Sequence, residues 1–437
     1  MSILLGTTVK TSGGKRDELR WMPDRTINGH GIIVGASGVG KTYRIRRIAH
    51  ALAYNYGARV IIIDVHGDIE VAGENRINFS ESSSYGLNPL WINPDPHSGG
   101  VNRRIRAFIS MINRTSHALG SRQEPALRRL LEDLYRLNGF DANDYRTWDP
   151  RTNPNVRGRS ARAQVCPNIS DLKRYTFSKL KQLKTGAGGE AFKALTELTK
   201  HVKAMHAYGL KADRQDDLEV IKLQKLIARA KDTYAMVVDK LETGAEIDDM
   251  LRYTDAQTLD AVLDRIDKLD KSGIFKDAQP PVDPATPVTV YNIKSLGRDE
   301  QKMFVDVLLE DLWQEQRGYP YSTEPRTFVV IDEASIFLSD EPDHIINIMM
   351  RESRKFGMGM LFASQSLNHF TEDVLANVGL KLVLGVDQMF VASLARMLRV
   401  DAAKIDAIRP RSTALVQCKV VGDQKNEFTD IYLARDT

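Results

Sequence analysis

The stretch that most constrains the fold of this chain is GASGVGKT, residues 35–42, which matches the pattern G-x-x-x-x-G-K-[ST]. It follows an apolar run, Gly31 to Val34, and precedes a helical pattern that begins near Lys41. Glycines let the backbone curl so that its N–H groups face an anion, and the N-terminus of the next helix adds partial positive charge. The pattern predicts a phosphate-binding loop made of Gly35, Ala36, Ser37, Gly38, Val39, Gly40, Lys41 and Thr42.

A second stretch, TFVVIDEASIF, supplies the carboxylates that nucleotide hydrolysis requires beside such a loop. The apolar run Phe328 to Ile331 predicts a buried strand, and Asp332 and Glu333 follow at its carboxyl end. In P-loop enzymes the lysine reaches the β- and γ-phosphates and the next hydroxyl binds Mg²⁺, which assigns Lys41 and Thr42. Asp332 is predicted to lie on the metal side, and Glu333 to polarise the attacking water. The alternative is an exposed acidic turn after a core strand.

A third stretch, RKFGMGMLFASQS, residues 354–366, ends an apolar strand on a polar amide. The apolar run Met358 to Ala363 predicts a buried strand that follows the Asp-Glu strand after one helix, at about residues 342 to 356. A parallel sheet would then place the two strands side by side, with their carboxyl ends at the ligand-binding edge. Gln365 is therefore predicted to lie beside the γ-phosphate; the alternative is that it caps the next turn.

The strand predicted at Val60 to Ile63 also ends in polar residues, Asp64, His66 and Asp68. Asp64 and His66 are candidates for contact with the metal-bound water or with a neighbouring subunit. A hydrogen-bonded turn explains the same residues equally well. His66 has no second histidine at metal-ligand spacing, so no metal site is predicted from it.

The order of these motifs resembles the HerA–FtsK class of P-loop ATPases, and most closely the HerA-type and the conjugation or type IV secretion ATPases. The P-loop is followed by IIIDVHGD, LNPL, VVIDEA, RESRKFGMGMLFASQS and NVGLKLVLG, so the resemblance covers about residues 25 to 95 and 286 to 437. The resemblance implies a RecA/ASCE-like α/β fold, with a mainly parallel sheet flanked by helices. It also implies ATP and Mg²⁺ as cofactors, and a homo-oligomer, a hexameric ring, that pumps DNA or sometimes protein.

The same resemblance implies an arginine finger that reaches into the nucleotide site of the neighbouring subunit. Such a residue lies between the Asp-Glu strand and the Ser-Gln strand, where this chain has Arg351 and Arg354. Arg354 is favoured because it is nearer to the sheet edge. Each arginine is explained almost as well as part of a solvated basic helix end.

The chain is predicted to comprise a short N-terminal segment at residues 1–30, and an ATPase core in two parts, 25–100 and 286–437, the second with C-terminal strands. Between these parts, residues 101–285 show apolar residues at three- and four-residue intervals, which predicts an inserted all-α subdomain. Its loop DPRTNPNVRGRSARAQ is a candidate for contact with a phosphate backbone, or else a solvated linker. The candidate DNA contacts there are Arg151, Arg157, Arg159 and Arg162.

Composition adds few constraints. The formal net charge of +4 is far from the imbalance of a histone, so any nucleic-acid binding must come from local patches. The two cysteines, Cys166 and Cys418, have no metal-ligand spacing and suggest no disulfide framework. No signal peptide and no run of about 18 apolar residues is evident, so a cytoplasmic protein without a membrane span is expected.

These observations favour a ring-forming, ATP-driven DNA translocase or helicase-like motor. One alternative is a cytosolic ATPase of a conjugation or secretion apparatus that moves protein or nucleoprotein. Another is a nucleotide-switched component of an anti-phage defence complex that regulates a partner nuclease. A viral packaging motor is disfavoured because the tail after residue 400 carries no clustered metal-binding carboxylates of a nuclease.

Overall fold

The computed structural model describes residues 2–9, 15–115, 117–149, 166–185, 189–212, 217–239, 253, 256–276, 278–368, 370–423 and 426–434. The chain divides into two compact units. The first comprises Met1–Leu87 and Ser272–Thr437, and the second comprises Asn88–Lys271.

The first unit is built on a sheet to which eleven strands of the described residues contribute, in the order β2-β1-β11-β10-β9-β3-β8-β7-β4-β6-β5. The strands are β1 Ile3–Thr8, β2 Glu18–Trp21, β3 Gly31–Val34, β4 Arg59–Asp64, β5 Asn75–Asn78, β6 Val288–Asn292, β7 Ser322–Ile331, β8 Phe356–Ser364, β9 Leu380–Val383, β10 Thr413–Cys418 and β11 Thr429–Leu433.

The seven strands from β9 to β5 in this order are parallel, and the four on the other side are antiparallel. The central strands β3, β8 and β4 are buried over nearly their whole length. Their continuous apolar sequences fit this position, because a parallel strand covered by helices is buried on both faces. The mainly parallel α/β fold implied by the motifs is confirmed.

The helices of the first unit are α1 Lys41–His50, α8 Arg298–Arg317, α9 Ile345–Glu352, α10 Glu372–Asn377, α11 Gln388–Leu398 and α12 Ala402–Asp406. A π-helical segment, Ala51–Tyr56, continues α1. In α8, Asp299 and Glu300 lie in the first turn and Arg317 in the last, which complements the helix dipole at both ends.

The regular secondary structure described in the second unit is helical. Its helices are α2 Val101–Thr115, α3 Gln123–Leu137, α4 Ile169–Thr185, α5 Gly189–Ala212, α6 Asp217–Asp239 and α7 Ala256–Lys271, with a short 3₁₀ turn at Tyr145–Thr147. The leucines of α3 recur at i, i+3, i+4 and i+7, so that one face of the helix is buried. The buried Tyr135 hydroxyl donates to the carbonyl of Leu90 at 2.7 Å, which satisfies its polar group within this unit.

Two further sequence predictions can be compared with the sheet. β7 and β8 pair in parallel, with Val330 opposite Leu361, as expected for strands joined through the single helix α9. No strand was predicted in the N-terminal segment. In the structure β1 pairs with β11 and β2 pairs with β1, so both strands extend the sheet. None of the described helices combines the length and the apolar composition that a bilayer-spanning helix requires.

Candidate nucleotide site

Four neighbouring strands bring the predicted site residues to one edge of the sheet. β3 ends in the glycine-rich loop, β8 ends before Gln365, β7 ends before Asp332, and β4 ends at Asp64. In the sheet these strands lie in the order β3-β8-β7-β4 and run parallel, so their carboxyl ends are adjacent. This edge is where open α/β sheets bind ligands.

The glycine-rich loop has the backbone geometry of a phosphate cradle. Gly38 and Gly40 have φ of 77° and 100°, in the left-handed region where residues with a Cβ are strained. Helix α1 begins immediately after, at Lys41, and its first turn carries no acidic residue. The first N–H groups of α1 and its partial positive charge are thus available to an anion.

The Lys41 amine lies inside this loop. Its Nζ donates to the carbonyls of Gly35 and Ala36 at 2.6 and 3.1 Å. Burial lowers the pKa of Lys41, and the nearby carboxylates of Glu333 and Asp332 partly oppose this shift. A partly desolvated cation beside a curled backbone loop is suited to bind phosphate oxygens.

The carboxylates of Asp64, Asp68 and Asp332 approach one another within 4.8 Å. Thr42 Oγ1 joins this group by donating to Asp68 Oδ2 at 3.4 Å. Both oxygens of Asp64 accept backbone hydrogen bonds, from Gly67 N at 2.7 Å and Ile69 N at 2.9 Å, so Asp64 closes the turn after β4. The side-chain oxygens of Thr42, Asp68 and Asp332 do not take part in this turn. Oxygens of this kind are the ligands that Mg²⁺ uses in nucleotide sites.

Asp332 has the most perturbed environment of this group. Its side chain is buried, and burial is the main cause that raises its pKa to about 6. The nearby carboxylates of Asp64 and Glu333 raise the pKa further, whereas His66 and a backbone hydrogen bond lower it. A divalent cation would offset the repulsion among these carboxylates and favour the charged form of Asp332, so the donor set fits a divalent metal ion.

Glu333 occupies a strained backbone conformation at the tip of β7, with φ of 46°. Its Oε1 accepts from Ser335 Oγ at 3.3 Å, and its Oε2 accepts from Gln365 Nε2 at 3.4 Å. The structure thus brings Gln365 to the glutamate that was predicted to polarise water. Strain of this kind persists only where surrounding structure holds it, and it is frequent at functional sites.

The two arginine-finger candidates differ in their surroundings. Arg351, near the end of α9, donates to the carbonyl of Pro342 at 2.8 Å. The Arg354 side chain is exposed and has no hydrogen bond or ion pair with any other part of the chain that the structure describes. Arg354 is therefore the candidate whose guanidinium is available to another molecule.

The segment that carries Arg354 is fixed beside β8 by His30. The buried His30 ring accepts from Met360 N at 3.1 Å through Nδ1, and its Nε2 lies 3.5 Å from Ser353 Oγ. Burial lowers the pKa of His30 to about 4, so the ring is neutral and its proton is on Nε2. The four candidate DNA-contacting arginines, Arg151, Arg157, Arg159 and Arg162, lie outside the described residues.

Arg411 is a further residue at this site, and the sequence motifs did not reveal it. It lies just before β10, and its Nε donates to the carbonyl of Gly38 at 2.9 Å. Its φ of 64° is in the left-handed region, which is unusual for an arginine. The unusual conformation and the contact with the loop together indicate that Arg411 fixes the shape of the phosphate cradle.

These features can be compared with known proteins. The family model described as the central domain of helicase HerA matches residues 18–312, well over half of the chain. The chain belongs to the HerA family. As a HerA-family protein it is homologous to ATP-binding and ATP-hydrolysing motor proteins, and the resemblance drawn from its motifs is confirmed.

Solved structures share the fold of this HerA-family protein. VirB4 of Thermoanaerobacter pseudethanolicus is 17% identical, with a TM-score of 0.60 over 99% of this chain and 96% of VirB4. The bacterial conjugative coupling protein TrwBΔN70 is 13% identical, with a TM-score of 0.56 over 100% of this chain and 94% of TrwBΔN70. The plasmid coupling protein TrwB in complex with ADP and Mg²⁺ is 14% identical, with a TM-score of 0.53 over 100% of this chain and 95% of TrwB. A comparison with curated proteins found no match.

The contact of Arg411 leads to a testable prediction. Replacing Arg411 with Gly removes the hydrogen bond to Gly38 and relieves the strained φ, so the protein should fold but bind nucleotide about fivefold more weakly. Titration with a fluorescent ADP analogue measures this change. Arg20→Gly is the control for loss of an exposed arginine, because Arg20 lies on β2 and donates to Glu18 and Ser2, not to the loop. Equal affinities of the two variants would exclude the role assigned to Arg411.

Proposed function

We propose that this protein is a ring-forming ATPase that binds ATP with Mg²⁺ and uses its hydrolysis to move DNA. The observation that carries the proposal is the meeting of a phosphate-binding loop, Asp332, Glu333 and Gln365 at adjacent strand ends. Membership of the HerA family supports the same reading, because the matching family model is that of a helicase domain.

In the proposed reaction, water attacks the γ-phosphate in line with the leaving oxygen. Lys41 moves from the loop carbonyls to the β- and γ-phosphate oxygens, where its charge stabilises the transition state. Glu333 accepts a hydrogen bond from the attacking water, and Gln365 orients the Glu333 carboxylate through their mutual contact. Thr42, Asp332 and Asp68 would hold Mg²⁺, which would supply positive charge to the phosphate oxygens.

The ring is proposed because, within the part of the chain that the structure describes, no arginine makes a hydrogen bond or ion pair with Asp332, Glu333 or Gln365. A finger arginine from a neighbouring subunit would supply a positive charge to the γ-phosphate. Arg354 is the proposed finger, since its side chain is exposed and Arg351 is engaged with Pro342. The neutral His30, whose Nε2 lies 3.5 Å from Ser353 Oγ and whose Nδ1 accepts from Met360 N, would hold this segment beside β8.

A second candidate function is that of an ATPase in a conjugation or secretion apparatus, with protein or nucleoprotein as its substrate. The similarity in fold to TrwB, a conjugative coupling protein, over the whole chain favours it. The chemistry at the nucleotide is the same in both readings. They differ in the substrate that stimulates hydrolysis.

The deciding experiment measures ATP hydrolysis with and without double-stranded DNA, and the mass of the particle in solution with ATP by light scattering. We expect a particle of six subunits whose hydrolysis rate rises with DNA. The Lys41→Ala protein, purified in the same way, controls for a contaminating ATPase. A six-subunit particle that ignores DNA would support the second candidate, whereas a monomer in saturating ATP would contradict the ring.

The finger assignment predicts a specific result in mixed rings. Arg354→Ala should reduce hydrolysis by about 10³-fold or more, because an arginine finger contributes that much to the turnover of P-loop enzymes. Mixing Arg354→Ala subunits with Glu333→Gln subunits should restore part of the activity, since each site then draws its base and its finger from different chains. Arg351→Ala is the matched control from the same segment. Failure of the mixture to recover activity would contradict a finger that acts in trans.

A further inference from the structure

The first unit contains a large cavity away from the strand ends that carry the nucleotide site. Its volume is about 1250 Å³, and it is lined by residues of β9, β10, α10 and α11 and by the segment that contains Lys404. No residue of the P-loop lines it, and neither do Asp332, Glu333 and Gln365. The cavity is large enough for a ligand the size of a nucleotide or a short stretch of a strand.

The floor of this cavity carries a buried lysine. The Lys381 residue, on β9, is only 8% exposed, and its Nζ donates to Gln417 Oε1 at 2.9 Å. Among the residues that the structure describes, no carboxylate lies within ion-pair distance of this amine. An ammonium group has three donors, and buried charges in proteins are nearly always balanced by an opposite charge. The protein itself therefore leaves this cation without a counter-charge.

A second lysine lines the same cavity. Lys419 follows β10, and its Nζ donates to the carbonyl of Ala376 at 2.7 Å. Lys381 and Lys419 repel each other, and this repulsion is among the causes that lower the pKa of Lys381. Two amines held by neutral amide and carbonyl acceptors, in a cavity open to ligand, form an arrangement that an anion would stabilise.

We propose that this cavity binds a phosphate group between Lys381 and Lys419. The phosphate comes either from a small free anion or from the backbone of a nucleic-acid strand. This site is separate from the P-loop, so the proposal does not depend on ATP hydrolysis. It would give the protein a second place at which a phosphate ligand is recognised.

The charges around Lys381 make the binding dependent on pH. Burial first, and then Lys419, lower the pKa of Lys381 to about 7. The other charged residues that line the cavity are Glu372 on α10, Arg396 and Arg399 at the end of α11, Asp401, Lys404 on α12, and Glu427 before β11. As the pH rises through about 7 the amine loses its proton in the free protein, so anion binding then requires the amine to take up a proton from solvent, and the affinity should fall as the pH rises.

The test uses sulfate, a phosphate mimic whose own charge is constant from about pH 6 to about pH 9. The full chain with Lys41→Ala is used so that sulfate binds more weakly at the P-loop, and sulfate affinity is measured by calorimetry. Lys381→Met should weaken sulfate binding by about tenfold at about pH 6 and remove its pH dependence. Met replaces a desolvated cation with an apolar side chain of similar length, so this variant should remain folded.

Lys302→Met, a lysine of α8 outside the cavity, is the matched control and should bind sulfate like its parent. Equal affinities of the Lys381→Met and Lys302→Met proteins, or no sulfate binding in either, would overturn the proposal. The source of the phosphate is then distinguished with a short single-stranded oligodeoxynucleotide at constant ionic strength. Loss of the Lys381-dependent sulfate binding in its presence assigns the site to a strand, and undiminished sulfate binding assigns it to a small anion.

Discussion

Glu333→Gln is expected to leave ATP bound while hydrolysis falls by at least about 100-fold, because general bases typically contribute that much to a rate. The amide has the same shape as the carboxylate, so the contacts with Ser335 and Gln365 can be retained and the site should keep its geometry. The amide cannot accept a proton from water. Single-turnover hydrolysis and equilibrium binding of a fluorescent ATP analogue measure the two effects separately.

Glu341→Gln is the matched control for this variant. Glu341 is exposed in the loop after the Asp-Glu strand, and its replacement makes the same change of charge. It should hydrolyse ATP like the unaltered protein. Normal turnover in Glu333→Gln would contradict its assignment as the base and would direct attention to Asp68 and Asp332, the other carboxylates of the site.

Lys41→Ala is expected to have the second large effect. It should weaken nucleotide binding as well as slow ATP hydrolysis. Its amine is the charged group that the cradle offers to the phosphates, and loss of one such group lowers turnover by about 10²- to 10³-fold. Nucleotide affinity should also fall, since a hydrogen bond to a charged group contributes about 1.5–3 kcal/mol. Calorimetric titration with ADP and steady-state hydrolysis report the two losses.

The fold should tolerate this change, which makes the result interpretable. Burial lowers the pKa of Lys41, so the site holds a partly desolvated charge whose removal should not destabilise the chain. Thermal unfolding without nucleotide checks this expectation, and Lys302→Ala serves as the control for loss of a lysine elsewhere. If Lys41→Ala bound ADP normally, the loop at residues 35–42 would not be the phosphate site.

The sequence was most informative where structure is local. The P-loop, the Asp-Glu strand and the Ser-Gln strand are each a short apolar run followed by polar residues, and such runs are governed by periodicity and glycine conformation. The pairing of β7 with β8 also followed, because one helix between two buried strands usually joins parallel neighbours.

The sequence was least informative at the N-terminal end of the chain. β1 and β2 form an antiparallel extension with β11, although the residues of β1 and β11 are separated by nearly the whole sequence. A short strand near the margin of a sheet contains too few residues to show a clear alternation of apolar and polar side chains. Its pairing depends on which neighbouring strand offers unpaired backbone groups. Nothing local in Ile3–Thr8 indicates that its partner lies near the C-terminus.

The sequence by itself determined which residues could serve a nucleotide, because loop, strand tip and helix start are encoded within a few consecutive positions. Only the tertiary structure decided which distant residues meet them. Arg411 reaches Gly38 across 373 positions, and Lys381 is brought beside Gln417 and Lys419 by the antiparallel pairing of β9 with β10. The physical reason is that burial and charge environment arise from packing between segments far apart in the chain, which no local pattern records.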